Sequence, residues 1–312
     1  MSGALLAEAS RASFARHETF PLRFGWLRKA YTEAIENPLV FSEPNATVKL
    51  GVGKNMVHAI RYWAQAYKVL EEAPSERSRS NELVPTEFGR ALLADDGWDP
   101  WLERPASLWL LHWQLLRRPC LAPSWWTAFN LFTPEQFEEE QLVEHVIELV
   151  SAAGWDSVVE GSIKKDVDCL FRTFAIRRTH RQRMDDLLDC PARELGLLEL
   201  AAGEQKAWRF VTGPKPSLPT PIMGYACLDY LATYAPGENT ISIARLTTDP
   251  GSPGRAFRLT ESAIFTGLSE LAASHPDLDL IEPGGLRQLV IRADAAAMST
   301  KMLADLYTPV PA

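Results

Sequence analysis

"LGVGKNMVHAIRYWAQAY", residues 50–67, admits two readings, and the choice between them decides the N-terminal fold. A glycine-flanked lysine ahead of a helix has the look of a phosphate-binding loop. The same residues fit the turn and reading helix of a DNA-binding unit. A phosphate loop needs the spacing G-x-x-x-x-G-K-[ST], because two glycines shape the anion nest and the hydroxyl holds magnesium. Counting back from Gly53, the first glycine position holds Val48, and Asn55 stands where Ser or Thr is required. The preceding "SEPNATVKL" (42–50) is also too polar for the strand such a loop follows. No nucleotide is therefore expected at this site.

The helix reading accounts for more residues. Lys54, His58, Arg61, Gln65 and Lys68 follow at steps of four, three, four and three, a single basic and polar stripe. Val57, Ile60, Ala64 and Tyr67 keep the same rhythm on another face. One face would pack on preceding helices and the other would meet a polyanion, with Asn55 near the helix start, where reading helices meet base edges. Lys49, Arg23 and Arg28 are the candidate backbone contacts, which position a protein without encoding sequence. A solvated helix whose charge serves only solubility is the competing account.

Outward from this stretch, Leu27, Ala30, Tyr31, Ala34 and Ile35 predict a helix that ends at Asn37-Pro38. A short helix follows from Pro44-Asn45, broken by Gly51-Val52-Gly53, and a third runs from about Lys54 to Glu71. After the Ser-rich "EEAPSERSRSN" (71–81) come a strand-like "ELVPT" and a helix capped by Thr86. Helix, helix, tight turn, helix and hairpin is the winged helix-turn-helix order. The expected class is mainly α with small β-hairpins: a winged helix-turn-helix domain over 18–98, a Trp-rich and acidic helical domain over 99–211, and a winged-helix-like α/β unit over 222–300. "WDPWLERPASLWLLHWQLLRR" (98–118) reads as a buried helix opened by "DPWLE", and "LGLLELAAGEQKAWRFV" as a hairpin. The Pro-rich "TGPKPSLPTP" (212–221) is the clearest boundary. "FRLTE" (257–261) echoes "LVPTE" (83–87), each read as a strand end followed by a Thr-capped helix.

Composition narrows the class. With 312 residues, 46% hydrophobic and ten Trp, the chain can bury more than one core. Four dispersed Cys without a C-x-x-C pair argue against a zinc ribbon and fit a reducing cytoplasm, the expected location. No apolar run approaches a membrane span, and no basic n-region precedes the N-terminal apolar patch. The net charge of −8 conceals an asymmetry. Residues 1–68 carry nine Lys/Arg against five Glu, and residues 132–170 carry ten acids against two Lys. "RTFAIRRTHRQR" (172–183) then has five Arg and no acid, a surface for phosphate or an internal partner for the acids before it.

No intact nuclease signature appears. Magnesium chemistry on a phosphodiester needs converging carboxylates. The candidates are Asp95, Asp96, Asp99 and Glu103; Asp166 and Asp168; and Asp185, Asp186 and Asp189. Asp99 and Glu103 would lie one helical turn apart and are the metal-ligand candidates, although a helix cap and a dipole partner are the favoured account of them. Trp125, Trp126 and Phe129 fit either base stacking or core packing.

"FGWLRKAY", "LGVGKNMVHAIRYW", "PTEFGRALLADDGWDPWLE", "SLWLLHWQLL", "WWTAFN", "GSPGRAFRLTE" and "GGLRQL" together resemble the SspB family, over about residues 20–300. That family belongs to Ssp systems, which place phosphorothioate on one DNA strand in anti-phage defence. The resemblance implies a Mg²⁺-dependent nickase acting on double-stranded DNA beside a cysteine desulfurase, an ATPase and a sulfur-inserting protein. It carries over no catalytic residue. A non-catalytic DNA-binding adaptor of the same complex and a winged-helix transcription regulator are the alternatives.

Overall fold

The computed structural model describes residues 2–73, 81–175, 190–203 and 206–308. The protein is mainly helical with small antiparallel sheets. It divides into two compact units, Met1–Ala128 with Pro134–Arg209, and Phe129–Thr133 with Phe210–Ala312.

The first unit opens with α1 (Ser2–Ala9), α2 (Trp26–Glu36), a 3-10 turn (Val40–Ser42), α3 (Ala46–Lys49) and α4 (Lys54–Ala66). α2 buries Leu27, Ala30, Tyr31 and Ala34 on one stripe, while Ile35 falls outside it at 55% exposed. The helix stops where Asn37 donates its N–H to Glu33, as expected ahead of a proline. α2 packs on α4, and α3 lies beside it. β1 (Leu70–Glu72) and β2 (Leu83–Pro85) then pair antiparallel, Leu70 opposite Pro85. The Leu83 N–H also bonds the Pro38 carbonyl, tying this hairpin to the end of α2. Thr86 caps α5 (Glu87–Leu93) by accepting from the Gly89 N–H.

α6 (Pro105–Leu116) is the apolar centre: every residue from Ala106 to Leu116 is buried. Each fully buried Leu there is worth about 1.5–3 kcal/mol. This helix does not open at "DPWLE". Asp99 through Arg104 form a turn with Leu102 in the left-handed region at φ 56°, so Trp101 stands 67% exposed, outside the helix. α7 (Pro123–Asn130), α8 (Glu139–Ala152) and α9 (Glu160–Phe174) follow, then a 3-10 turn (Pro191–Leu195) and the expected hairpin, β3 (Leu198–Leu200) with β4 (Trp208–Phe210).

The second unit runs α10 (Thr220–Tyr234), β5 (Thr240–Ser242), α11 (Ile243–Thr248), α12 (Pro253–Phe257), α13 (Glu261–Ser274), β6 (Leu278–Ile281), β7 (Gln288–Ile291) and α14 (Ala295–Tyr307). Its three strands form one antiparallel sheet in the order β5–β7–β6, with Leu289 opposite both Ile241 and Leu280. α10 packs on α13 and α14. Thr260 caps α13 from the Ala263 N–H, but no strand precedes it: "FRL" is the end of α12 and a left-handed Arg258 at φ 55°. The echo with "LVPTE" is therefore a shared cap on different backbones. Among the described residues, no helix is long and apolar enough to cross a membrane.

Candidate nucleic-acid interface

α4 is set up by the turn before it. Gly51 takes φ 61°, a conformation that costs other residues more, and the Val52 N–H returns to the Thr47 carbonyl. Gly53 is extended, and α4 starts at Lys54 with no side-chain cap. Because α3 rather than a strand precedes the turn, the surroundings of a phosphate loop are missing.

The two faces of α4 separate as the period requires. Val57, Ile60, Ala64 and Tyr67 are all buried. Trp63 adds an indole N–H bond to the Phe20 carbonyl at 2.9 Å, and the Tyr62 hydroxyl reaches the Leu121 carbonyl at 3.1 Å. Lys54, Asn55 and His58 are exposed, and Arg61 and Gln65 are half-buried. α4 contains no acid. Glu18 flanks its basic side, with a carboxylate oxygen 3.6 Å from His58 Nδ1.

Lys68 does not belong to this stripe. The helix ends at Ala66, and Lys68 turns into the left-handed region at φ 58°. Its ammonium donates to the carbonyls of Gln114 and Arg117, satisfying the end of α6. It is thus a C-terminal clamp on α6. Arg28 is also engaged: its guanidinium bonds the Leu93 carbonyl and Asp95 and stacks 5.3 Å from the Trp101 ring centroid. Arg23 lies over Trp26 at 5.7 Å. Lys49 pairs with Glu43 at 2.9 Å. That pairing, helped by Asn37, holds the Glu43 carboxyl below its ordinary range, and Glu43 in turn raises the Lys49 ammonium.

Behind α4 lies a buried polar network that the sequence did not reveal. Asp166 Oδ1 accepts from the Ala15 N–H at 2.7 Å and from His17 Nε2 at 2.9 Å, and its Oδ2 accepts from Ser124 at 2.9 Å. The Thr19 N–H donates to His17 Nδ1, which leaves Nε2 to donate to Asp166. His17 also stacks on Trp63 with centroids 5.8 Å apart. A Ser, a His and an Asp meet here, but the hydroxyl donates to the carboxylate instead of to the imidazole, and none exceeds 1% exposure. The arrangement is a staple holding residues 15–19 against α7 and α9, not a nucleophile with its base.

The metal candidates divide similarly. Asp99 is buried, with Oδ1 accepting from the Glu103 N–H at 3.0 Å and Oδ2 from the Arg104 N–H at 2.9 Å. It caps the turn, and Glu103 is exposed, so the expected pair one helical turn apart does not form. Asp95 is taken by Arg28, Asp166 by the staple, and Asp168 by Arg172 at 2.8 Å. Among the described residues, no three His, Cys, Asp or Glu converge where a metal ion could bind. Asp185, Asp186 and Asp189 lie outside the described residues, as do Arg177, Arg178, Arg181 and Arg183. Trp125, Trp126 and Phe129 are fully buried core side chains, so base stacking is closed to them.

Residues 14–307 match a family described as a protein of unknown function, DUF4007. Two solved structures are similar over almost the whole length. An SspB crystal structure is 45% identical with a TM-score of 0.91, and a magnesium ion-bound SspB crystal structure is 44% identical with a TM-score of 0.90. Each comparison covers 97% of this chain and 90% of the other. No curated protein matches.

Proposed function

The chain belongs to the SspB family, and from that premise we propose that it is the DNA-engaging component of an Ssp phosphorothioation system. It binds double-stranded DNA through α4 and nicks one strand in a Mg²⁺-dependent reaction in the cytoplasm. It acts beside a cysteine desulfurase, an ATPase and a sulfur-inserting protein. The observation that carries the DNA reading is the outward face of α4, where Lys54, Asn55 and His58 are exposed on a helix without acids. Cations displaying this pattern neutralise phosphates and release counterions. The run α2, α3, α4 and the β1–β2 hairpin supports a winged helix-turn-helix reading of the N-terminal block. The β5–β7–β6 order with α13 ahead of its hairpin supports a second winged-helix reading in the C-terminal unit.

The nicking reading rests on the family and on the magnesium ion bound in one similar SspB. Mg²⁺ commonly takes one or two carboxylates and keeps its waters. The described residues do not supply a ready cage, so no carboxylate of this chain is assigned to the ion or to strand cleavage. The structural engagement of Asp95, Asp99, Asp166 and Asp168 is the observation that favours the adaptor as the second reading.

Incubating the purified chain with supercoiled plasmid, with Mg²⁺ or with EDTA, separates the two. Open circles formed only with the metal, and lost in one alanine variant among the unengaged carboxylates, establish the nickase. Duplex binding without open circles leaves the adaptor. Open circles from every variant alike point to a contaminating nuclease.

A further inference from the structure

α4 presents less outward surface than its length allows. Lys54, Asn55 and His58 are exposed, but Arg61 and Gln65 are already half-buried, and the helix has ended before Lys68. Only its first two turns can enter a groove. Within them, the Asn55 carboxamide makes no hydrogen bond to any described residue, whereas the carboxamides of Asn37 and Asn130 are both engaged.

Gly53 supplies an independent observation. Its φ of −68° and ψ of 161° suit any residue, and a Cβ built there would meet nothing within 4 Å. Neither backbone conformation nor internal packing requires glycine. Serine would cap the helix better. What glycine leaves is clearance on the outer side of the turn, the condition for close approach to a ligand. Val48, on the α3 side of that turn, is 80% exposed.

Resting on the DNA reading above, we propose that the first turn of α4 enters the major groove and that Asn55 reads an adenine. A carboxamide there donates its N–H to adenine N7 and accepts from the N6 amino group, a bidentate pattern no other base edge matches. Lys54 and Arg61 supply phosphate contacts that do not depend on sequence. The Gly53 turn lets the backbone close in far enough for the short Asn55 side chain to reach. Asn55 is then the specificity-determining residue of the interface.

The test is selection of duplexes from a randomised pool by the full chain, compared with Asn55→Ala. The wild type should enrich adenine at one position, and the variant should lose that preference, with discrimination there falling about tenfold or more. Binding to the selected duplex should weaken, while the salt slope set by the phosphate contacts of Lys54 and Arg61 remains. Gly53→Ser should raise the melting temperature slightly through its better cap, yet weaken binding to every duplex. The proposal is overturned if Asn55→Ala retains the wild-type preference, if the wild type binds duplexes without base preference, or if single strands compete as well as duplexes. The first two outcomes leave DNA binding standing, whereas a wild type that binds no duplex removes the DNA reading itself.

Discussion

α4 and α13 occupy corresponding places in two similar runs of elements, each following shorter helices and preceding a two-stranded hairpin. Their outward faces are opposite in charge. α4 carries Lys54, His58 and Arg61 and no acid, while α13 carries Glu261 and Glu270 and neither Lys nor Arg. The hairpins differ too. The β6–β7 turn holds Leu286, 65% exposed, with Arg287 drawn back over Phe265 at 4.4 Å and paired with Glu282 at 3.7 Å. Similar order of elements therefore does not assign a ligand: a phosphate backbone is attracted to one face and repelled by the other.

The buried sides of the two helices differ as sharply, and the largest expected effect lies there. α13 buries Ile264, Leu268 and Leu271, an apolar stripe. α4 buries Val57, Ile60 and Ala64 likewise, but it also leans through Trp63 on His17, which Asp166 fixes. Asp166→Ala would leave His17 Nε2, the Ala15 N–H and the Ser124 hydroxyl without their acceptor. Urea denaturation should record a loss of about 3 kcal/mol or more, since three buried donors are stranded at about 1–3 kcal/mol each. Ser124→Ala, which removes one donor and leaves the carboxylate two, should cost less, about 1.5–2 kcal/mol. Equal effects from both would mean that the carboxylate is not the centre of the network.

The charge contrast is tested next. Lys54→Ala combined with Arg61→Ala should weaken duplex binding and flatten its salt dependence, by about 0.9 in the logarithmic slope for each phosphate left without its cation. Glu261→Gln combined with Glu270→Gln should leave both quantities as they were. If the α13 pair moves the slope and the α4 pair does not, the assignment of the two faces is inverted.

How much of this was legible in the sequence depends on whether the determinant is local. The buried face of α4 was, because Val57, Ile60, Ala64 and Tyr67 repeat at the helical period. So were the Thr86 and Thr260 caps, since a cap is a bond across three residues. Lys68 was misplaced because the same period continues in the letters after the helix has ended at Ala66, and its ammonium is satisfied by carbonyls 46 and 49 residues away. Asp99 was read as opening a helix. An Asp-Pro pair suits both a helix start and the turn actually formed, and the left-handed Leu102 that decides between them leaves no compositional mark. His17, Ser124 and Asp166 could not be grouped at all, being separated by 149 residues in one case and 42 in the other.

The smallest effect concerns the edge of the basic face. Glu43 is half-buried and bonds both Lys49 and Asn37. Its carboxyl is held low in the folded protein, chiefly by Lys49. The stability from this contact is therefore present above the unfolded carboxyl's pKa and is lost as pH falls through the depressed folded value. At neutral pH the pair is intact, and Glu43 cancels a cation one turn ahead of α4. Glu43→Gln should raise duplex affinity about two- to threefold at low salt, the scale of one exposed charge, and the gain should vanish at high salt. The same gain should shrink in acid, because protonated Glu43 in the wild type no longer opposes Lys49. An affinity unchanged at low salt would place Lys49 off the path of the DNA and confine the interface to α4 itself.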